Sequence, residues 1–317
     1  MTLSPQLLDV VSQPSTRPVP EGIKAVGRAL VEQHDRAVLG VLFYGSCLRA
    51  NSDQESLVDC YVLVKNYVLF YPSKWLALAN GLLPPNVFFL SVPFHDRVIR
   101  VKYAVLSLSH FERSVTPQWF HSYFWARFAQ PTVLLMAANP DVTRTVFQGL
   151  AQAVSTFLEK TLPRMTESFG AEELWQVGLS LTYGAELRSE PKGRAKTLWA
   201  HDQVYYEQVT QAVLITRPSS IRIGQDTNKL QYTPSFPAQA RLLNRVGWVI
   251  RTIQGKILSA LRLVKAAFTF QGGADYLVWK IERHSGVKIE LTPAQRRHPI
   301  WTGLTTFWRL YRQGAFR

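Results

Sequence analysis

Four apolar runs of strand length crowd the first third of this chain, at residues 37–44, 57–64, 87–92 and 98–106. Each falls far short of the roughly 18–20 apolar residues needed to cross a bilayer. Turn residues bound them: Gly45 and Ser46 after the first, Pro84 and Pro85 before the third, His95 and Asp96 between the last two. Helical patterns at 21–33 and 73–80 lie between the runs. Strands interleaved with helices in so short a stretch predict an α/β (α+β) domain with a mixed sheet.

Beyond residue 106 the pattern turns helical, at about 140–162, 171–188, 201–215 and 239–269, with a last helix at 300–311. Residues 217–237 read as a polar loop with three prolines, and residues 1–22 as an irregular lead-in rich in Pro, Ser and Thr. The expected division is a lead-in at 1–22 and a sheet domain at 23–135. A helical domain that completes the site follows at 136–237, and a basic helical region at 238–317.

An apolar fraction of 47% over 317 residues supplies real cores and argues against disorder. The start lacks a basic segment followed by an apolar one, so no secretory signal is expected. Asp9 and Glu21, with Arg17 as the sole cation before Lys24, also argue against a transit peptide. Cys47 and Cys60 are expected as buried free thiols in a reducing compartment. The seven histidines show no metal-ligand spacing, so no zinc site is expected.

The net charge of +14 is placed unevenly. Residues 241–317 hold fourteen Lys/Arg against Asp275, Glu282 and Glu290. That asymmetry implies a polyanionic partner, either nucleic acid or an anionic membrane.

The chemistry-bearing pattern is Val41-Leu-Phe-Tyr-Gly-Ser46 followed by Val58-Asp-Cys-Tyr-Val62. A strand ends in Gly-Ser, and a carboxylate stands inside the next strand. Gly45 lets the backbone approach a triphosphate closely, and Ser46 offers a hydroxyl and N–H groups to a phosphate oxygen. Asp59, amid apolar neighbours, needs a compensating partner, and Mg²⁺ is the expected one. The spacing resembles the nucleotidyltransferase superfamily. Where that superfamily has a second carboxylate, this chain has Tyr61.

Further motifs follow in order: Val101-Lys-Tyr-Ala-Val105, Ala126-Arg-Phe-Ala-Gln-Pro131, Gly178-Leu-Ser-Leu-Thr-Tyr-Gly-Ala-Glu-Leu-Arg188 and Ile215-Thr-Arg-Pro-Ser-Ser-Ile-Arg222. With the first pattern they resemble the mitochondrial-type phosphatidate cytidylyltransferases, the translocator assembly and maintenance family. The resemblance covers residues 40–222. It departs at Glu186, where the family usually has Asp.

The resemblance implies synthesis of CDP-diacylglycerol and pyrophosphate from CTP and phosphatidic acid, with Mg²⁺. It implies catalytic roles for Asp59, Lys102 and Glu186, with Asp59 at the metal. Tyr44, Gly45, Ser46, Arg188, Arg217, Ser219, Ser220 and Arg222 are then the nucleotide- and phosphate-binding candidates. Two residue types agree independently. Arg217 and Arg222 bracket two serines, which suits an anion with several oxygens. Lys102 in an apolar strand must snorkel, pair with a carboxylate or meet a phosphate.

Two stripes in the basic region carry opposite expectations. Val246, Val249, Ile250, Ile253, Ile257, Leu261, Val264 and Phe268 recur at helical spacing and are expected to pack on the core. Trp301, Leu304, Trp308 and Tyr311, beside Arg309 and Arg312, are expected to enter an anionic headgroup layer. The protein is therefore expected in the cytoplasm, attached peripherally to the inner face of the membrane. Two other functions fit parts of the pattern. One is a nucleotidyltransferase acting on a protein or soluble acceptor; the other is a nucleic-acid-binding protein, suggested by the basic pI alone.

Overall fold

In the computed structural model, which describes residues 3–34, 37–53, 57–187, 193–217, 219–226 and 229–269, the four apolar runs become strands. They are β1 (Val38–Tyr44), β2 (Val58–Val64), β3 (Asn86–Phe94) and β4 (Arg97–Ser107). A fifth, β5 (Val133–Ala137), joins the far edge and gives the order β3-β4-β2-β1-β5. β2 and β4 run parallel and every other neighbouring pair runs antiparallel, so the sheet is mixed as expected.

Helices α1 (Pro5–Ser15), α2 (Glu21–His34), α3 (Ser46–Ala50), α4 (Tyr67–Phe70), α5 (Lys74–Leu82), α6 (Leu108–Ser114) and α7 (Trp125–Phe128) accompany the sheet. After β5 come α8 (Pro140–Thr161), α9 (Ala171–Gly184), α10 (Arg194–His201) and α11 (Gln203–Leu214). A hairpin of β6 (Ile221–Asp226) and β7 (Lys229–Pro234) then precedes α12 (Ala238–Thr269).

The strands read as continuous apolar runs because both faces of the sheet are covered. Val41, Phe43, Cys60, Val62 and Val105 pack with Ile23, Val26 and Leu30 of α2. Leu42, Tyr61, Leu63 and Leu106 face a second core that includes Val146, Leu150 and Phe157 of α8 and Trp175 of α9. Both cysteines are buried free thiols, as expected.

Three local expectations are corrected. The lead-in contains α1, capped by Ser4, whose side chain accepts from Leu7 N–H, with Pro5 in the first turn. Proline there only looks like a breaker, since its missing N–H is one the helix start leaves free anyway. Leu7 and Val11 of α1 are buried. The 217–237 loop is largely the β6–β7 hairpin, anchored where Tyr232 exchanges backbone hydrogen bonds with Phe169. β5 escaped notice because five residues give too short a pattern to separate from the helical stretch around it.

The largest correction is α12. Its apolar stripe faces outward: Val249, Ile253, Ile257 and Phe268 are 61, 57, 55 and 74% exposed. The inward side carries Trp248, which donates from Nε1 to the Lys160 carbonyl at 3.0 Å, and Arg251, which donates from Nε to the Phe120 carbonyl at 2.7 Å. Farther along, Arg262 donates to the Pro84 carbonyl at 2.9 Å, and Lys265 donates to the carbonyls of Leu83 and Pro85.

Candidate active site

Strand register brings three chemistry-bearing residues into one row. Tyr44 at the end of β1 pairs with Asp59 on β2, and Asp59 pairs with Lys102 on β4. Paired positions share a sheet face, here the one that sends Leu42, Tyr61 and Ala104 into the helical core. Tyr61 is fully buried there among Tyr44, Phe124 and Phe128. Tyr61, two residues after Asp59, is thus a core residue and supplies no carboxylate to this row.

Lys102 takes the second of its expected options: its Nζ lies 2.5 Å from Asp59 Oδ1. Gly45 follows β1 with φ of 93°, a conformation that favours glycine. Space is tight as well, because a Cβ at Gly45 would lie 3.0 Å from Asp59 Oδ2. The turn therefore sits directly against the carboxylate.

Around this corner lies a cavity of about 170 Å³. Tyr44, Gly45, Ser46, Arg49 and Asp59 line one part of it, and Ala126, Arg127, Gln130 and Pro131 another. Thr182 and Tyr183 come from the end of α9, Glu186 from the turn just after it, and Arg194 from the start of α10. Sites that enclose drug-sized ligands usually measure roughly 300–1,000 Å³, so this space suits part of a nucleotide, such as its phosphates.

Glu186 is not on α9, as the sequence pattern implied, but in the turn just after it. Its N–H donates to the Tyr183 carbonyl at 3.0 Å. Its carboxylate stands 3.8 Å from Arg127 Nη2. The Arg127 guanidinium also lies over the rings of Tyr44 and Tyr123, at 5.5 and 4.9 Å. Burial disfavours its charge, but the surrounding tyrosines and Glu186 outweigh burial and hold its pKa well above normal. Arg127 is a fixed cation in the wall. Burial, then the charge of Asp59, push the Cys60 thiol far up, so it stays protonated and is no nucleophile.

α12 braces this wall. Arg262 lies 4.3 Å from the centre of the Tyr123 ring, which Arg127 also contacts. Gly255 abuts the turn before Glu186, where a methyl group would collide with the Ala185 carbonyl oxygen.

The structure thus gathers Tyr44, Gly45, Ser46, Asp59 and Glu186 on one cavity, with Lys102 reaching it through Asp59. It does not bring the 217–222 segment there. Arg217 Nη2 is 3.4 Å from Glu159 Oε2 on α8. The Ser220 carbonyl accepts from Ser235 N–H, Ser219 is exposed, and Arg222 is exposed on β6 opposite Thr233. Thr233 meets Ser168, just before α9, whereas the cavity lies past the other end of that helix. At 14 residues, α9 separates the two by about 21 Å. Arg188 and the tail candidates Trp301, Leu304, Trp308, Arg309, Tyr311 and Arg312 lie outside the described residues.

Arg49, Arg127, Gln130, Tyr183 and Arg194, none of them among the residues expected from the sequence to bind or catalyse, also line the cavity. Arg49 carried a signal, standing three residues after Ser46 and hence on the same side of a helix. Arg127, Gln130 and Tyr183 stood inside motifs already in view, but nothing in the sequence linked Arg194 to Asp59.

For Mg²⁺, the lining offers two carboxylates, Asp59 and Glu186. No cluster of three metal-binding side chains exists among the described residues. Mg²⁺ is commonly held by one or two carboxylates together with substrate phosphates, so the donor set fits it with nucleotide bound.

A larger cleft of about 600 Å³ lies between α9, α11 and β7. Glu172, Glu173, Glu207 and several glutamines line it, which makes it a poor seat for a polyanion.

No family model matches the chain, and no curated protein matches it. Among solved structures it is similar to a nucleotidyltransferase-like protein from Exiguobacterium sibiricum 255-15, at 9% identity. That likeness covers 68% of this chain and 100% of the other, with a TM-score of 0.28. Similarity this loose establishes neither a shared fold nor a shared chemistry.

Proposed function

We propose that this chain is a nucleotidyltransferase that moves CMP from CTP to phosphatidic acid, releasing pyrophosphate and forming CDP-diacylglycerol. The observation that carries it is the position of Asp59. It stands against the Gly45 turn, in register with Lys102, at the edge of a cavity bearing three arginines. The cytidine and phosphatidate assignments come from the ordered motif resemblance.

In the reaction, an oxygen of the acceptor phosphate bonds to the α-phosphorus of CTP. The bond to the α,β-bridging oxygen breaks, and its electron pair leaves with pyrophosphate. Asp59 and Glu186 would hold Mg²⁺, which neutralises phosphate charge as that bond breaks. Lys102 fixes the Asp59 carboxylate, and Arg127 holds positive charge in the wall for the incoming phosphates.

The lipid half of the reading is supported by α12. A helix that braces the cavity wall presents its apolar face outward, beside exposed Arg245 and Lys256. Such a face suits the headgroup region of an anionic leaflet. No described helix is long and apolar enough to cross a membrane.

The test is a nucleotide panel with vesicles containing phosphatidic acid, following pyrophosphate release and the lipid product. CTP should react and Asp59→Asn should not, while the variant keeps its thermal transition. Full activity of Asp59→Asn would remove Asp59 from the chemistry. Labelling of a protein or soluble acceptor in place of lipid would favour the other transferase reading, and an oligonucleotide shift without turnover would favour nucleic-acid binding.

A further inference from the structure

We propose that Arg49 and Arg194 seat the two terminal phosphates of the nucleoside triphosphate, the part that departs as pyrophosphate. This assignment rests on the nucleotidyltransferase reading of the same cavity and adds residues that the motif resemblance does not touch.

The local structure places both residues at the cavity. Arg49 lies in the last turn of the short α3, three residues beyond Ser46, and the end of that helix is held by Arg17, whose Nη2 donates to the Leu48 carbonyl at 2.7 Å. Arg194 opens α10 directly after Gly193, which has φ of 88°. Chain segments 145 residues apart thus bring Arg49 and Arg194 into the lining of the cavity that holds Gly45, Ser46 and Asp59.

The electrostatics favour an anion between them. Among the described residues lining the cavity, Arg49, Arg127 and Arg194 face Asp59 and Glu186. Asp59 is engaged by Lys102 and Glu186 by Arg127. Burial lowers the pKa of Arg49, and the like charge of Arg194 lowers it further; Tyr183, Tyr206 and Asp202 push the other way. Asp202 is itself raised by burial, against the pull of Arg17 and Arg49. A polyanion between the two arginines would relieve their repulsion and accept from both planar forks. As the α,β-bond breaks, charge builds on pyrophosphate, where such fixed cations act most strongly.

Calorimetric titration with inorganic pyrophosphate and Mg²⁺, and separately with CMP, tests this on the full chain and on Arg49→Ala, Arg49→Lys and Arg194→Ala. Each alanine variant should weaken pyrophosphate binding, and raise KM for CTP, by roughly 10–100-fold. CMP binding should stay within about twofold of the unaltered chain, since CMP lacks the groups concerned. Arg49→Lys should fall between, keeping the charge but losing the fork. If an alanine variant fails to fold, Arg49→Lys and the other alanine variant decide. Unchanged pyrophosphate binding and KM in the folded variants would overturn the proposal. If pyrophosphate binds and the variants lose it, yet no nucleotide reacts, the anion seat stands and the transferase reading falls.

Discussion

Helices α8 and α12 are both long and amphipathic, and they are oriented oppositely. α8 buries its stripe, Val146, Leu150, Val154 and Leu158, while its inter-turn pair Arg144 and Asp141 lies in solvent. α12 exposes its stripe and turns Arg251, Arg262 and Lys265 inward. The surfaces they meet explain the difference. α8 meets an apolar sheet face, and it offers side chains that need only volume. α12 crosses the carbonyls of Leu83, Pro84, Pro85, Phe120 and Lys160, which need donors. Periodicity therefore declares that a helix has two faces, and the chemistry of the docking surface selects between them.

The sharpest way to break this comparison is to place the same charge on both stripes. Val154→Asp should bury an unpaired carboxylate in the core and cost more than about 4 kcal/mol, leaving little folded protein. Ile253→Asp should stay within about 0.5 kcal/mol of the parent, because its side chain already meets solvent. Urea unfolding of the two variants checks both. Equal losses would mean that the outer face of α12 is covered in solution.

The outer face should instead respond to lipid. Replacing Ile250, Ile253 and Ile257 together with Ser should weaken binding to anionic vesicles by roughly 100-fold while the thermal transition holds. Flotation with and without anionic lipid measures it, and undiminished flotation would detach α12 from the lipid reading. The inner face should respond to stability. Arg251 lies 4.5 Å from the Phe120 ring centre and 4.6 Å from that of Trp248. Burial lowers its pKa only to about 10, so it stays charged near neutrality. Arg251→Met should cost about 1–3 kcal/mol. A neutral result would make the inward cations dispensable.

The same contrast separates what the sequence disclosed from what it withheld. β1 and β2 were legible because both their faces are buried, which writes burial as nearly unbroken apolar runs, and β3 and β4 because one face is buried along their length. Asp59 and Gly45 were legible because each violates its surroundings, a carboxylate in a strand and a glycine ending one. The inversion of α12 was not legible, since its docking surface consists of backbone carbonyls, which no side-chain pattern records. Nor was the separation of the 217–222 segment from Asp59, because motif order along a chain does not fix distance. The intervening α9 places Ser168 and Glu186 at opposite ends of a rigid rod. Arg194 was hidden for the same reason in reverse: it is distant in sequence from Asp59 yet lines the same cavity.

The smallest expected effect concerns Lys265 at the far end of the inverted face. Burial, then the charge of Arg262, lower its pKa to about 7, whereas the unfolded chain has the ordinary value of 10.5. The Leu83 and Pro85 carbonyls that accept from Nζ favour the charged form and limit that shift. Between the two values the unfolded chain binds a proton that the folded one lacks. Stability must therefore rise as pH climbs from about 7 toward 10.5, by at most about 1 kcal/mol between pH 7 and 8. Well below pH 7 both states are protonated and the contribution to the slope vanishes. Lys265→Met removes the titrating group while filling similar volume, so its stability should climb less over this interval than that of the unaltered chain. Arg262 remains in both proteins, and His121, lowered to about 3 in the folded state by burial and by Arg262 and Arg251, contributes equally to both and cancels. Chemical denaturation of the pair at pH 7 and 8 isolates the difference. Parallel pH profiles would mean that the Lys265 ammonium stays charged on its carbonyls throughout, and that the inner face of α12 holds its cations without a proton being released.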